Sequence, residues 1–75
     1  MKSEFGIQPL DEILNKRSLK NEDLVKASNE QLTHKQVQKG RQGKTITINI
    51  KRKIIRALNR IDEKNTYTQK ELFNY

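Results

Sequence analysis

Ile50, Ile54, Leu58 and Ile61 recur at i, i+4, i+8 and i+11, the spacing of a single helical face. Leu10, Ile13 and Leu14 repeat the pattern on a smaller scale. These groups matter because apolar residues make up only 32% of the 75-residue chain. A chain this short builds one small core at most, so its few aliphatics must land on inward faces for a fold to form. Their grouping predicts an all-α domain of four to five short helices rather than a disordered basic tail. The scarcity of apolar surface places its stability near the lower end of the roughly 5–15 kcal/mol usual for domains.

Local signals divide the chain further. Pro9 suits a first helical turn, and Asp11 and Glu12 favour the positive end of the helix dipole, giving a first helix over about residues 9–17. Asn21 reads as the N-cap of a second helix, followed by Glu22 and Asp23, with Leu24, Ala27 or Ser28, and Gln31 or Leu32 along one face. Thr33-His34-Lys35-Gln36 spells a capping box, so a third helix starts after Thr33 with Val37 as its apolar anchor. Gly40 is expected to weaken or end that helix, and Gly43 to lie in a loop. Residues 44–51 alternate polar and β-branched side chains and read alone as a strand. No second alternating run offers a partner, which favours a fourth helix over about 48–61, capped by Thr47 or Asn49. A second capping-box spelling, Thr68 to Glu71, predicts a last short helix. The organisation expected is a flexible tail over 1–8, a helical domain over 9–61 and a C-terminal extension over 62–75. Residues 67–75 of that extension are the candidate contact should the chain form a homodimer.

Charge narrows the function classes. Lys35, Lys39, Arg41, Lys44, Lys51, Arg52, Lys53, Arg56 and Arg60 fall in one window that contains no acid, and the rest of the chain is slightly negative against a net charge of +7. A field of this kind attracts polyanions, nucleic acid first among them. Aromatic residues are absent from the window, which favours duplex-backbone binding over base stacking. The chain has no cysteine and one histidine, His34, too few donors for a metal site. No nucleophile, paired-carboxylate or phosphate-cradling pattern occurs, so neither enzymatic activity nor a cofactor is expected. No segment reads as a signal peptide or a membrane span, which leaves a cytoplasmic protein as the expectation.

The order of these elements resembles the phage repressor/Cro-type (lambda-repressor-like) helix-turn-helix domain. The likeness rests on Leu19–Ser28, Leu32–Lys39, Gly43-Lys44 and Ile54–Asn59, and it covers about residues 10–61. The resemblance implies a DNA-binding transcriptional regulator whose third helix enters the major groove. Carried over position by position, His34, Lys35 and Gln38 would face base edges. Asn21, Lys39, Arg41, Lys44, Lys51 and Arg52 would contact phosphates. The stretch from Leu24 to Thr33 is two residues longer than the family's turn and lacks its glycine; Asn29 is expected to take the left-handed conformation instead. Two readings from other classes stand beside this one: an RNA- or ribosome-associated basic protein, and a protein-interaction module acting through the fourth helix.

Overall fold

Five helices in the order expected make up the described residues. The structure, a computed structural model, describes residues 5–75. The helices are α1 (Pro9–Lys16), α2 (Asn21–Ala27), α3 (His34–Gln42), α4 (Ile48–Ile61) and α5 (Gln69–Leu72). No β-strand occurs among the described residues. The alternating stretch resolves into a loop and a helix start, because Thr47 accepts the Ile50 N–H at 3.2 Å and sets the chain into α4.

The predicted aliphatic face of α4 is the core. Ile54 and Leu58 are fully buried, with Ile50 and Ile61 packed at its margin. Burial of each of the first two contributes about 1.5–3 kcal/mol. Around them stand Leu10 and Leu14 from α1, Leu24 from α2, Val37 from α3, and Leu32 and Ile46 from the connections. α4 packs against α2, α3 and α5, and α1 packs against α3 and α5. No helix among the described residues is long and apolar enough to cross a membrane.

Several boundaries differ from those expected, each for a local reason. α1 ends at Lys16 because Ser18 turns left-handed (φ 56°). This lets the Leu19 N–H reach the Leu14 carbonyl at 2.8 Å. The N-cap of α2 is Lys20, whose N–H donates to the Asp23 carboxylate at 2.7 Å, and Asn21 is its first helical residue. Gly40 does not end α3. It is buried inside the helix, where an added Cβ would lie 3.1 Å from Ile54 Cδ1 and 3.3 Å from Phe73 Cε1. Gly43 terminates the helix instead, at φ 78°.

Both ends of the 9–61 unit are tied into it. Of the tail expected over 1–8, residues 1–4 lie outside the described residues. The Phe5 N–H donates to the Gly43 carbonyl at 3.1 Å. Gln8 is only 1% exposed. Its backbone N–H donates to the Arg41 carbonyl at 2.9 Å, its amide NH2 to Gly6 O at 3.0 Å, and its side-chain oxygen accepts the Asn74 N–H at 2.7 Å. The C-terminal extension likewise belongs to the core. Tyr67, Leu72 and Phe73 are buried within the chain, so their apolar surface contributes to the core.

Candidate nucleic-acid interface

The capping box at the start of α3 forms as the sequence spells it. The Gln36 N–H donates to Thr33 Oγ1, and the Thr33 N–H to Gln36 Oε1, both at 3.1 Å. With its register set by Val37 and Gly40 inward, α3 turns His34, Lys35, Gln38 and Lys39 to solvent. His34 and Gln38 are one turn apart on one stripe, and Lys35 and Lys39 one turn apart on the next. The three expected base-facing residues therefore share a single exposed face, in a helix that contains no acid.

Behind this face lies a brace that the sequence hides. Arg41 is the next turn's inward neighbour, with its side chain only 14% exposed. Its Nε donates to Asp11 Oδ1 at 2.6 Å, Nη1 to Asn21 Oδ1 at 2.8 Å and Nη2 to Asn15 Oδ1 at 3.0 Å. Asn21 in turn donates from Nδ2 to Gln38 Oε1 at 2.9 Å. One guanidinium thus pins α3 to α1 and α2, and Asn21 fixes the rotamer of Gln38, leaving the NH2 group of Gln38 as its unengaged end. Arg41 and Asn21, both expected on phosphates, direct their polar groups to their own neighbours in the free chain and position the exposed face.

Lys51, also expected on phosphate, faces inward. It is 7% exposed. Its Nζ donates to the Tyr75 carbonyl at 2.6 Å, lying 3.8 Å from the centre of the Tyr75 ring and 5.8 Å from that of Phe73. The signal was present: Lys51 precedes Ile54 by three residues and Leu58 by seven, which places it on the buried stripe of α4. Its neighbours in sequence face outward. Arg52, Arg56 and Arg60 are exposed, and Lys53 is half-buried with Nζ on the Gln31 carbonyl at 3.1 Å.

Of the remaining expected phosphate contacts, Lys39 is exposed and Lys44 half-buried after the Gly43 turn. Lys39 lines a shallow depression with Thr45, Ile46, Thr47 and Ile50. Thr47 and Ile50 belong to the capped first turn of α4, so the positive end of that helix's dipole and the Lys39 ammonium act on the same depression.

The α2–α3 connection differs from a tight turn. Ser28 leaves α2 extended (φ −75°, ψ 134°), its Oγ accepts the Glu30 N–H at 3.1 Å, and Leu32 is buried as an anchor before Thr33. Asn29 does not take the left-handed place; among non-glycine described residues only Ser18 does. The two extra residues are absorbed by the serine turn instead, and they carry Glu30 to Arg56, where Nε and Nη2 each donate to one carboxylate oxygen at 2.7 Å. The Arg56 hydrogen bonds hold the Glu30 carboxyl below its usual range, against the opposing effect of burial.

Three acids are paired with specific arginines: Asp11 with Arg41, Glu30 with Arg56, and Asp62 with Arg17 at 2.9 Å. Lys35, Lys39, Lys44, Arg52 and Arg60 make no ion pair with any described residue. The result is a surface whose residual field is positive on α3 and α4 together. Compared with protein-family models, curated proteins and solved structures, the chain matches none of them.

Proposed function

We propose that this domain binds double-stranded DNA and acts as a transcriptional regulator, with α3 seated in the major groove. The observation that carries the proposal is the acid-free outer face of α3, held from behind by the Arg41–Asp11–Asn21 brace. A helix with its side chains is about 10–12 Å across and fits a groove about 12 Å wide. His34 and Lys35 offer donors suited to guanine O6 and N7, and the free NH2 of Gln38 suits an acceptor such as adenine N7. Lys39, Lys44 and Arg52 neutralise phosphate at the rim. Bracing matters to such a role, because base discrimination requires donors held in place before contact.

The test is selection of bound sites from a random duplex pool, followed by Lys35→Ala and Gln38→Ala. The wild type should yield a short consensus, and each substitution should relax one position of it by roughly 1–3 kcal/mol. A pool that never converges, or equal enrichment by wild type and both variants, would refute groove reading by α3.

A further inference from the structure

We propose that the outer face of α4 is a second phosphate-binding surface for duplex DNA, formed by Arg52, Arg56 and Arg60, and that Glu30 occupies Arg56 in the free protein as a stand-in for phosphate. The proposal rests on the DNA-binding reading and extends it along α4 from Arg52 to Arg56 and Arg60, which that reading leaves unused. Arg52, Arg56 and Arg60 stand at i, i+4 and i+8, about 6 Å apart along the axis and about 12 Å from first to last. Phosphates of one strand advance about 3.4 Å per base pair along the duplex axis, so the row has the reach of several consecutive phosphates. Ile54, Ala57 and Leu58 are buried on the opposite side of the helix, which fixes the row outward.

A helix face that is merely solvated mixes both signs of charge. α4 contains no acid in its 14 residues. Among the described residues, the acid paired with its basic face comes from another element: Glu30, in the connection between α2 and α3, pairs side-on with Arg56 through two 2.7 Å hydrogen bonds from Nε and Nη2. A carboxylate presents the same pair of acceptor oxygens to a guanidinium as a phosphate does. Lys53 beside it donates to the Gln31 carbonyl, a neutral acceptor that an anionic oxygen outcompetes. Glu30 and Gln31 lead through Leu32 into Thr33, the cap of α3. The arginine row therefore borders the first turn of the helix assigned to the groove, and DNA seated there has its backbone within reach of α4. Glu30 is then a competitor that DNA must displace to engage Arg56.

The experiment uses the full chain and fluorescence anisotropy on a random-sequence duplex over a salt series, with Glu30→Gln, the double substitution Arg52→Gln/Arg60→Gln, and Lys35→Ala. Each phosphate neutralised contributes about 0.9 to the slope of log affinity against log salt. The double substitution should lower the slope by about 1.8, and Glu30→Gln should raise it by about 0.9 and tighten binding at low salt. Neither change touches the core, and far-ultraviolet circular dichroism checks that both variants are folded. Wild-type slopes in both would overturn the α4 surface. If Lys35→Ala still blurred the selected site, the groove reading would survive that result. Absence of salt-dependent duplex binding by the wild type would overturn both.

Discussion

Replacing Lys51 by methionine should destabilise the fold and leave the salt dependence of nucleic-acid binding unchanged, although Lys51 opens the Lys51-Arg52-Lys53 triplet. Methionine keeps most of the apolar stem and removes the ammonium. The charge-assisted bond to the Tyr75 carbonyl, 2.6 Å long, contributes about 1.5–3 kcal/mol. The contact with the Tyr75 ring, 3.8 Å away, adds about 0.5–2 kcal/mol where water is excluded. Removing the cost of burying the ammonium offsets part of this. The expected net loss is about 1–3 kcal/mol, a fall of about 1–3 M in the urea midpoint at a slope of about 1 kcal/mol/M. Arg52→Met is the matched control. Arg52 is exposed and unpaired among the described residues. Its loss should move stability by no more than about 0.5 kcal/mol and lower the salt slope by about 0.9. Urea unfolding followed by circular dichroism, with anisotropy under native conditions, reads both quantities. A Lys51→Met protein as stable as wild type, with a salt slope reduced like that of Arg52→Met, would refute the buried placement of Lys51.

Other substitutions address the seams of the fold. Gly43→Ala should cost about 2–4 kcal/mol in urea unfolding. About 1–2 of this is the left-handed backbone, and the rest is loss of the docked segment at residues 5–8, since a Cβ at Gly43 would overlap the Gly6 carbonyl. Deleting residues 1–6 should leave only the backbone cost of Gly43→Ala, and an undiminished effect in the shortened chain would contradict that split. The second seam concerns pH. Burial works to raise the Asp62 carboxyl, but hydrogen bonds from Tyr67 and Asn65 and the Arg17 charge outweigh it and hold the group below the usual range. A depressed carboxyl stabilises the fold above its unfolded value, near 3.9, and the gain disappears as pH falls through the folded value. Asp62→Asn should therefore be less stable than wild type near neutrality and show a flatter acid limb below about pH 4. Superimposable acid limbs would show that the Arg17–Asp62–Tyr67 cluster contributes nothing. Burial, with the hydrogen bond to Asp62, raises the Tyr67 phenol, so that hydroxyl holds its proton across the same range and its contribution is lost only as pH climbs beyond about 10.

Helix placement was legible wherever a short-range signal carried it. The Thr33–Gln36 box and Ile54 and Leu58 as core follow from spacings of three or four residues, and the structure has them, with Thr47 as the α4 cap out of the two the sequence offers, Thr47 and Asn49. What the sequence concealed involves partners far apart along the chain. Arg41 meets Asp11 thirty residues away, and Gln8 meets Asn74 sixty-six residues away. No local pattern distinguishes an arginine held in that way from one aimed at solvent. Gly40 misled for a related reason. Helix propensity counts its missing side chain as a defect, whereas the approach of Ile54, Ile46 and Phe73 leaves no easy room for one. Lys51 was legible by helical phase, but its charge drew it into the basic set.

The most direct test is fluorescence anisotropy of the domain against random duplex DNA, single-stranded DNA and structured RNA, each across a salt series. Preference for the duplex, with a slope of several released counterions, is the outcome the α3 and α4 surfaces predict. Equal or tighter binding to RNA would reassign the surface to RNA. No binding to any of the three at low salt would make the basic face a site for a protein partner and contradict the account.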